Sequence, residues 1–77
     1  MNKRQFYDEV ENILEVPSGS LKGDEVLKDF EQWDSLAVLS FIAMADATLQ
    51  TLISSRDLAK CQNVADLVGL FPGKITD

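Results

Sequence analysis

Apolar and polar positions alternate with a helical period over three stretches of this chain. Phe6, Val10, Ile13 and Leu14 fall at i, i+4, i+7 and i+8, so residues 3–15 read as an amphipathic helix. Asn2 is placed to cap it. Lys3 and Arg4 sit poorly against the positive end of the helix dipole, so the first turn is expected to fray. Tyr7 lies beside the stripe, its ring at the boundary and its hydroxyl in water. Val16-Pro17 ends the helix, because a residue before proline is pushed out of the α region.

Residues 17–33 hold no sustained period. Pro17-Ser18-Gly19-Ser20 and Gly23 are loop chemistry, while Leu21, Val26, Leu27 and Phe30 recur and should pin the stretch to a core. Asp24 to Phe30 has room for one helical turn. A loop of this length is unusual in so small a chain, and such loops are often functional.

Residues 35–50 predict the central helix. Val38, Ile42, Ala45 and Leu49, continuing to Leu52 or Ile53, form its expected core stripe, with Leu39 and Phe41 on the flanks. The opposite face carries Leu36, Ala37, Ser40, Ala43 or Met44, and Ala47, small and mostly apolar. A 77-residue chain can hardly bury every side of one helix, so part of that face is expected to stay exposed as a partner surface. Ser54-Ser55 reads as a second cap, opening a short helix over residues 55–60 with Leu58 and Cys61 inward. Asn63 caps a last helix over residues 64–71, with Val64, Leu67, Val68 and Phe71 inward. Gly69 costs that helix about 1 kcal/mol relative to alanine. Pro72-Gly73 stops it, and residues 74–77 are expected to form a loose tail. The sum is an all-α single domain over residues 1–77: three amphipathic helices, a short additional one, and one long first loop.

Composition narrows the function. Apolar content of 45% suits a folded domain. No apolar run reaches membrane-span length, and the N-terminus reads as neither a signal nor a transit peptide. One cysteine and no histidine leave no internal disulfide, no zinc site and no Cys–His nucleophile pair, and they fit a reducing cytoplasm. The net charge of −6 argues against nucleic acid. Nine of the 13 acids lie in residues 1–34, against four of the 7 bases. That imbalance is a solubilising surface or a field steered toward basic partners.

Trp33-Asp34-Ser35-Leu36 opens the central helix. Asp34 is a good N-cap, which places Ser35 at the first helical position, its hydroxyl beside the positive end of the dipole where anions are favoured. As a catalytic nucleophile Ser35 lacks a base: there is no histidine and no Gly-x-Ser-x-Gly elbow.

Asp34-Ser35-Leu36, mid-chain after a long loop and before an apolar helix in an acidic chain, resembles the attachment site of the acyl carrier protein family. Asp29-Phe30 looks like the acid and apolar pair that precedes the family motif. Residues 54–61 and 63–71 resemble its third and fourth helices. The resemblance implies a four-helix bundle with a long first loop and a short third helix. It implies 4′-phosphopantetheine, taken from coenzyme A by a holo-carrier synthase that needs Mg²⁺, and esterified to Ser35. It also implies thioesters of acyl or aminoacyl groups on that arm, presented to loading and condensing enzymes of fatty-acid, polyketide or other specialised biosynthesis. The carrier itself would be a cytoplasmic monomer and no enzyme, with Asp34 and Leu36 flanking the transferase contact.

Two departures stand out. Glu31-Gln32-Trp33 is one residue longer than the family's usual glycine-containing connection, and Trp-Asp-Ser-Leu looks like standalone carriers of specialised pathways. The acids that line this helix in fatty-acid carriers are replaced by Ala37, Ser40 and Ala47, and only Asp46 keeps the charge. Trp33, Leu36, Ala37, Ser40, Met44, Asp46 and Ala47 are therefore the expected partner face. Trp33 reads equally as a cover over the loop. The rival reading, from another class, is a small acidic interaction domain without cofactor, binding through the apolar outer face of the same helix.

Overall fold

The computed structural model describes residues 1–76 and, among them, four α-helices and no strand: α1 (Lys3–Leu14), α2 (Ser35–Leu49), α3 (Ser55–Ala59) and α4 (Val64–Val68). The all-α, acyl-carrier-like arrangement with a long first loop and a short third helix is as the sequence predicts. Each helix is opened by a side-chain cap. Asn2 and Gln5 satisfy each other's backbone N–H groups at α1, Asp34 caps α2, and Ser54–Asp57 and Asn63–Asp66 form capping boxes at α3 and α4. The first turn of α1 is thus held by its capping box, and Arg4 adds ion pairs to Asp8 and Glu11 at 2.7 Å each. Glu15 and Gln50 close α1 and α2 in the left-handed region, at φ 58° and 47°.

The core runs through Phe6, Val10 and Leu14 of α1, Phe41, Met44, Ala45 and Leu49 of α2, Leu58 of α3, and Val64, Leu67 and Phe71 at the C-terminal end. Phe6, Phe41 and Phe71 stack in mutual contact, with ring centroids 5.9–6.1 Å apart. α2 packs between α1 and α3. Its buried face is rotated from the predicted stripe by less than one residue's turn, about 100°. Phe41 is fully buried, as is Ala45 and nearly so Leu49 of the predicted stripe, while Val38 and Ile42 are half-buried flanks. Ala37 and Met44, expected on the partner face, lie in the core at 5% and 9% exposure. Eleven of the 15 residues of α2 are apolar and they surround the helix, so periodicity does not select a face. The large Phe41 and Met44 side chains turn inward because they bury more surface than Ala43 or Ser40.

The long first loop is held at both ends. Leu21 and Leu27 are buried. The Glu11 carboxylate, 2% exposed, accepts the Gly19 and Leu21 N–H groups at 3.0 Å each. Further on, the loop is stitched to α4: Ala65 N–H donates to the Gly23 carbonyl at 2.8 Å, Val64 N–H to the Glu25 carbonyl at 3.1 Å, and Leu27 N–H to the Gln62 carbonyl at 2.9 Å. Gly23 has φ +121°, and a Cβ there would lie 3.0 Å from the Tyr7 hydroxyl, so Tyr7 ends against the loop backbone. A single 3₁₀ turn, Leu27–Asp29, falls within the stretch expected to make one turn.

α4 ends at Val68, with Gly69 as its cap, three residues short of prediction, although Phe71 still reaches the core. The tail is tied down through Thr76. Lys3 N–H donates to the Thr76 carbonyl at 2.8 Å, Thr76 N–H to the Met1 carbonyl at 2.9 Å, and Lys74 Nζ to the Leu49 carbonyl at 3.0 Å. A cation at the C-terminus of α2 also complements the helix dipole. The expectation of a loose tail is corrected for residues 74–76; Asp77 lies outside the described residues. No helix of the described residues is long and apolar enough to cross a membrane.

Candidate functional site

Two tight turns deliver the chain to α2. Trp33 N–H donates to the Phe30 carbonyl at 3.1 Å and Asp34 N–H to the Gln32 carbonyl at 2.9 Å. The half-buried Trp33 ring stands edge-on to Phe41, with centroids 6.3 Å apart at 79°, which anchors the turn to the core. Trp33 therefore packs on the core through Phe41, and its remaining surface lines a cleft beside Ser35. Asp34 is extended, and its Oδ1 accepts the Ala37 N–H at 3.0 Å while its carbonyl accepts the Val38 N–H at 3.0 Å.

Ser35 is the first residue of α2 and exposed. Its hydroxyl makes no hydrogen bond among the described residues, and the N–H groups of Ser35 and Leu36 donate to no acceptor there. An uncommitted hydroxyl thus sits beside two uncommitted donors at the positive end of a 15-residue helix.

Around it, Leu36 is 72% exposed and Leu39 63% exposed, and Ser40, Ala43, Asp46 and Ala47 share the solvent face of α2. The expected partner residues Leu36, Ser40, Asp46 and Ala47 are therefore on one accessible face. Ala37 and Met44 are not on it; they reach the surface only in lining a groove between α1 and α2. Leu39 was missed as a surface residue. Its i+4 spacing from Ser35 was the available signal, outweighed by its size.

The family model described as phosphopantetheine attachment site matches residues 4–71. The chain belongs to this family. Comparison with curated proteins and with solved structures returned no match. Members carry 4′-phosphopantetheine covalently, and a carrier domain works with a phosphopantetheinyl transferase and with biosynthetic enzymes. The α2 N-terminus fits such a group. It offers an exposed hydroxyl to esterify, with two free backbone donors for the oxygens of a phosphodiester. Carrier domains of this family are generally non-catalytic.

Cys61 stands apart from this site. It is half-buried, and its Sγ–H points at the Asp57 carbonyl at 3.6 Å. Burial, with Asp66 and Asp57 nearby, pushes its thiol pKa up, which suppresses the thiolate.

Proposed function

We propose that Ser35 carries the arm and that the protein presents acyl or aminoacyl groups on it to enzymes of a fatty-acid, polyketide or other specialised biosynthetic route. The observation that carries this reading is the exposed, hydrogen-bond-free Ser35 hydroxyl at the first position of α2, directly after its Asp34 cap. When bound, the arm supplies a terminal thiol that holds the cargo as a thioester. The chain's own residues do the rest. Asp34 fixes the start of the helix, Trp33 anchors the turn, and Leu36 with Ser40, Asp46 and Ala47 offers a contact face. On transfer, Ser35 Oγ bonds the phosphorus of the phosphopantetheine half of coenzyme A, the bond from that phosphorus to the nucleotide half breaks and 3′,5′-ADP leaves, and the serine proton passes to a base on the transferase. The protein is read as a carrier and not an enzyme. Tethering then lets weakly docked partners meet the cargo at high effective concentration.

The low charge of the α2 outer face favours a dedicated partner with an apolar patch over a general fatty-acid enzyme. The protein is read as one cytoplasmic, monomeric domain spanning residues 1–77. Incubation with coenzyme A, Mg²⁺ and a promiscuous phosphopantetheinyl transferase should raise the intact mass by one arm per chain. Unchanged mass would favour the cofactor-free interaction domain.

A further inference from the structure

An enzyme that esterifies Ser35 must reach the α2 N-terminus, which has a concavity on each flank. The flanks differ in chemistry. Toward α3 lies a cleft of about 400 Å³ lined by Trp33, Val38, Leu39, Leu58 and Ala59 together with Ser35 and Ser55, with no charged side chain. Toward α1 lies a groove of about 420 Å³ whose floor is Ile13, Ala37 and Met44 and whose rim carries the carboxylates of Glu9, Glu15 and Asp34. No lysine or arginine lines it, and Glu9 and Glu15 make no ion pair among the described residues. Leu36, 72% exposed, lines the groove, and Leu39, 63% exposed, lines the cleft.

We propose that the transferase docks on Ser35 in one orientation, with a lysine- or arginine-bearing segment over the α1–α2 groove and an uncharged apolar ledge over Leu39 and the α2–α3 cleft. The inference rests on Ser35 being the attachment site. An aliphatic stem on the apolar floor with its cationic head among the carboxylates matches the groove in shape and charge. The reversed pose would press apolar surface onto Glu9 and Glu15 and desolvate them without an ionic partner, which disfavours it.

Binding is measured on the Ser35→Ala protein, with coenzyme A, Mg²⁺ and a promiscuous transferase, so that no transfer is needed. Glu9→Lys/Glu15→Lys is compared with Asp24→Lys/Asp29→Lys, an equal charge change at exposed acids that line neither flank. Glu9→Gln/Glu15→Gln serves as a milder variant, and circular dichroism checks each fold. The groove pair should weaken Kd about tenfold at low salt and the control pair less than about threefold, with the difference closing at high salt. Leu39→Ser should weaken binding at every salt concentration. Equal weakening by both pairs, no weakening by the groove pair or by Leu39→Ser, or no binding of the parent protein, would overturn the proposal. Uptake of an arm by Ser35→Ala would instead overturn the attachment site and leave the docking result standing.

Discussion

The Leu21 N–H donates to the Glu11 carboxylate at 3.0 Å, joining the last turn of the first helix to the loop that leads to Ser35. Burial opposes the charge on Glu11. The Leu21 N–H, the Arg4 guanidinium and the Gly19 N–H outweigh it and hold the carboxyl below its usual range. A carboxyl depressed on folding stabilises the native state above its unfolded pKa, about 4.3, and that contribution is lost as pH falls through the folded value. Glu11→Gln should flatten the acid limb of the stability curve. It should do so only in part, because Glu25 and Asp57 are depressed too. Glu11→Ala should cost about 1–3 kcal/mol through the orphaned Leu21 N–H, and hydrogen exchange should speed at Gly19 and Leu21. An unchanged acid limb in Glu11→Gln would show that the contact carries no linkage.

Phe41 touches Phe6, Phe71 and Trp33, whereas Leu39, two residues away, faces solvent. In urea titration Phe41→Ala should lose about 3–5 kcal/mol and Leu39→Ala under about 0.5 kcal/mol, with the half-buried Ile42→Ala between them. A larger loss at Ile42 than at Phe41 would restore the stripe predicted from periodicity.

The raised pKa of Cys61 gives a practical expectation. At pH 7–8 the folded apo protein should react with a thiol reagent much more slowly than the urea-unfolded chain, because little thiolate is present and the sulfur is half-covered. A thiol that reacts quickly after treatment with the transferase then belongs to the arm. Equal rates for folded and unfolded apo protein would place Cys61 in the open.

Capping chemistry made the helix starts legible. Asn2, Asp34, Ser54 and Asn63 each stand in the sequence as recognisable caps, and each acts as one. Asp34-Ser35-Leu36 could be read for the same reason, since the cap fixes where the helix begins. The rotation of α2 was not legible, because a helix apolar on all sides has no preferred face until α1 and α3 cover it. The role of Glu11 was hidden as well. Its partners are backbone N–H groups of Gly19 and Leu21, and backbone donors leave no mark in a sequence. The tail was misjudged likewise, since its ties to Met1 and Lys3 are backbone bonds across the length of the chain.

The most direct test of the Ser35 attachment is intact mass with peptide mapping after incubation with coenzyme A, Mg²⁺ and a promiscuous transferase, on wild-type protein and Ser35→Ala. Ser35 is not the helix cap, so the variant should fold as the wild type does. The expected result is one arm per wild-type chain, mapped to the peptide holding Ser35, and none on Ser35→Ala. An arm on folded Ser35→Ala, or a wild-type arm mapped to Ser40, Ser54 or Ser55, would contradict it.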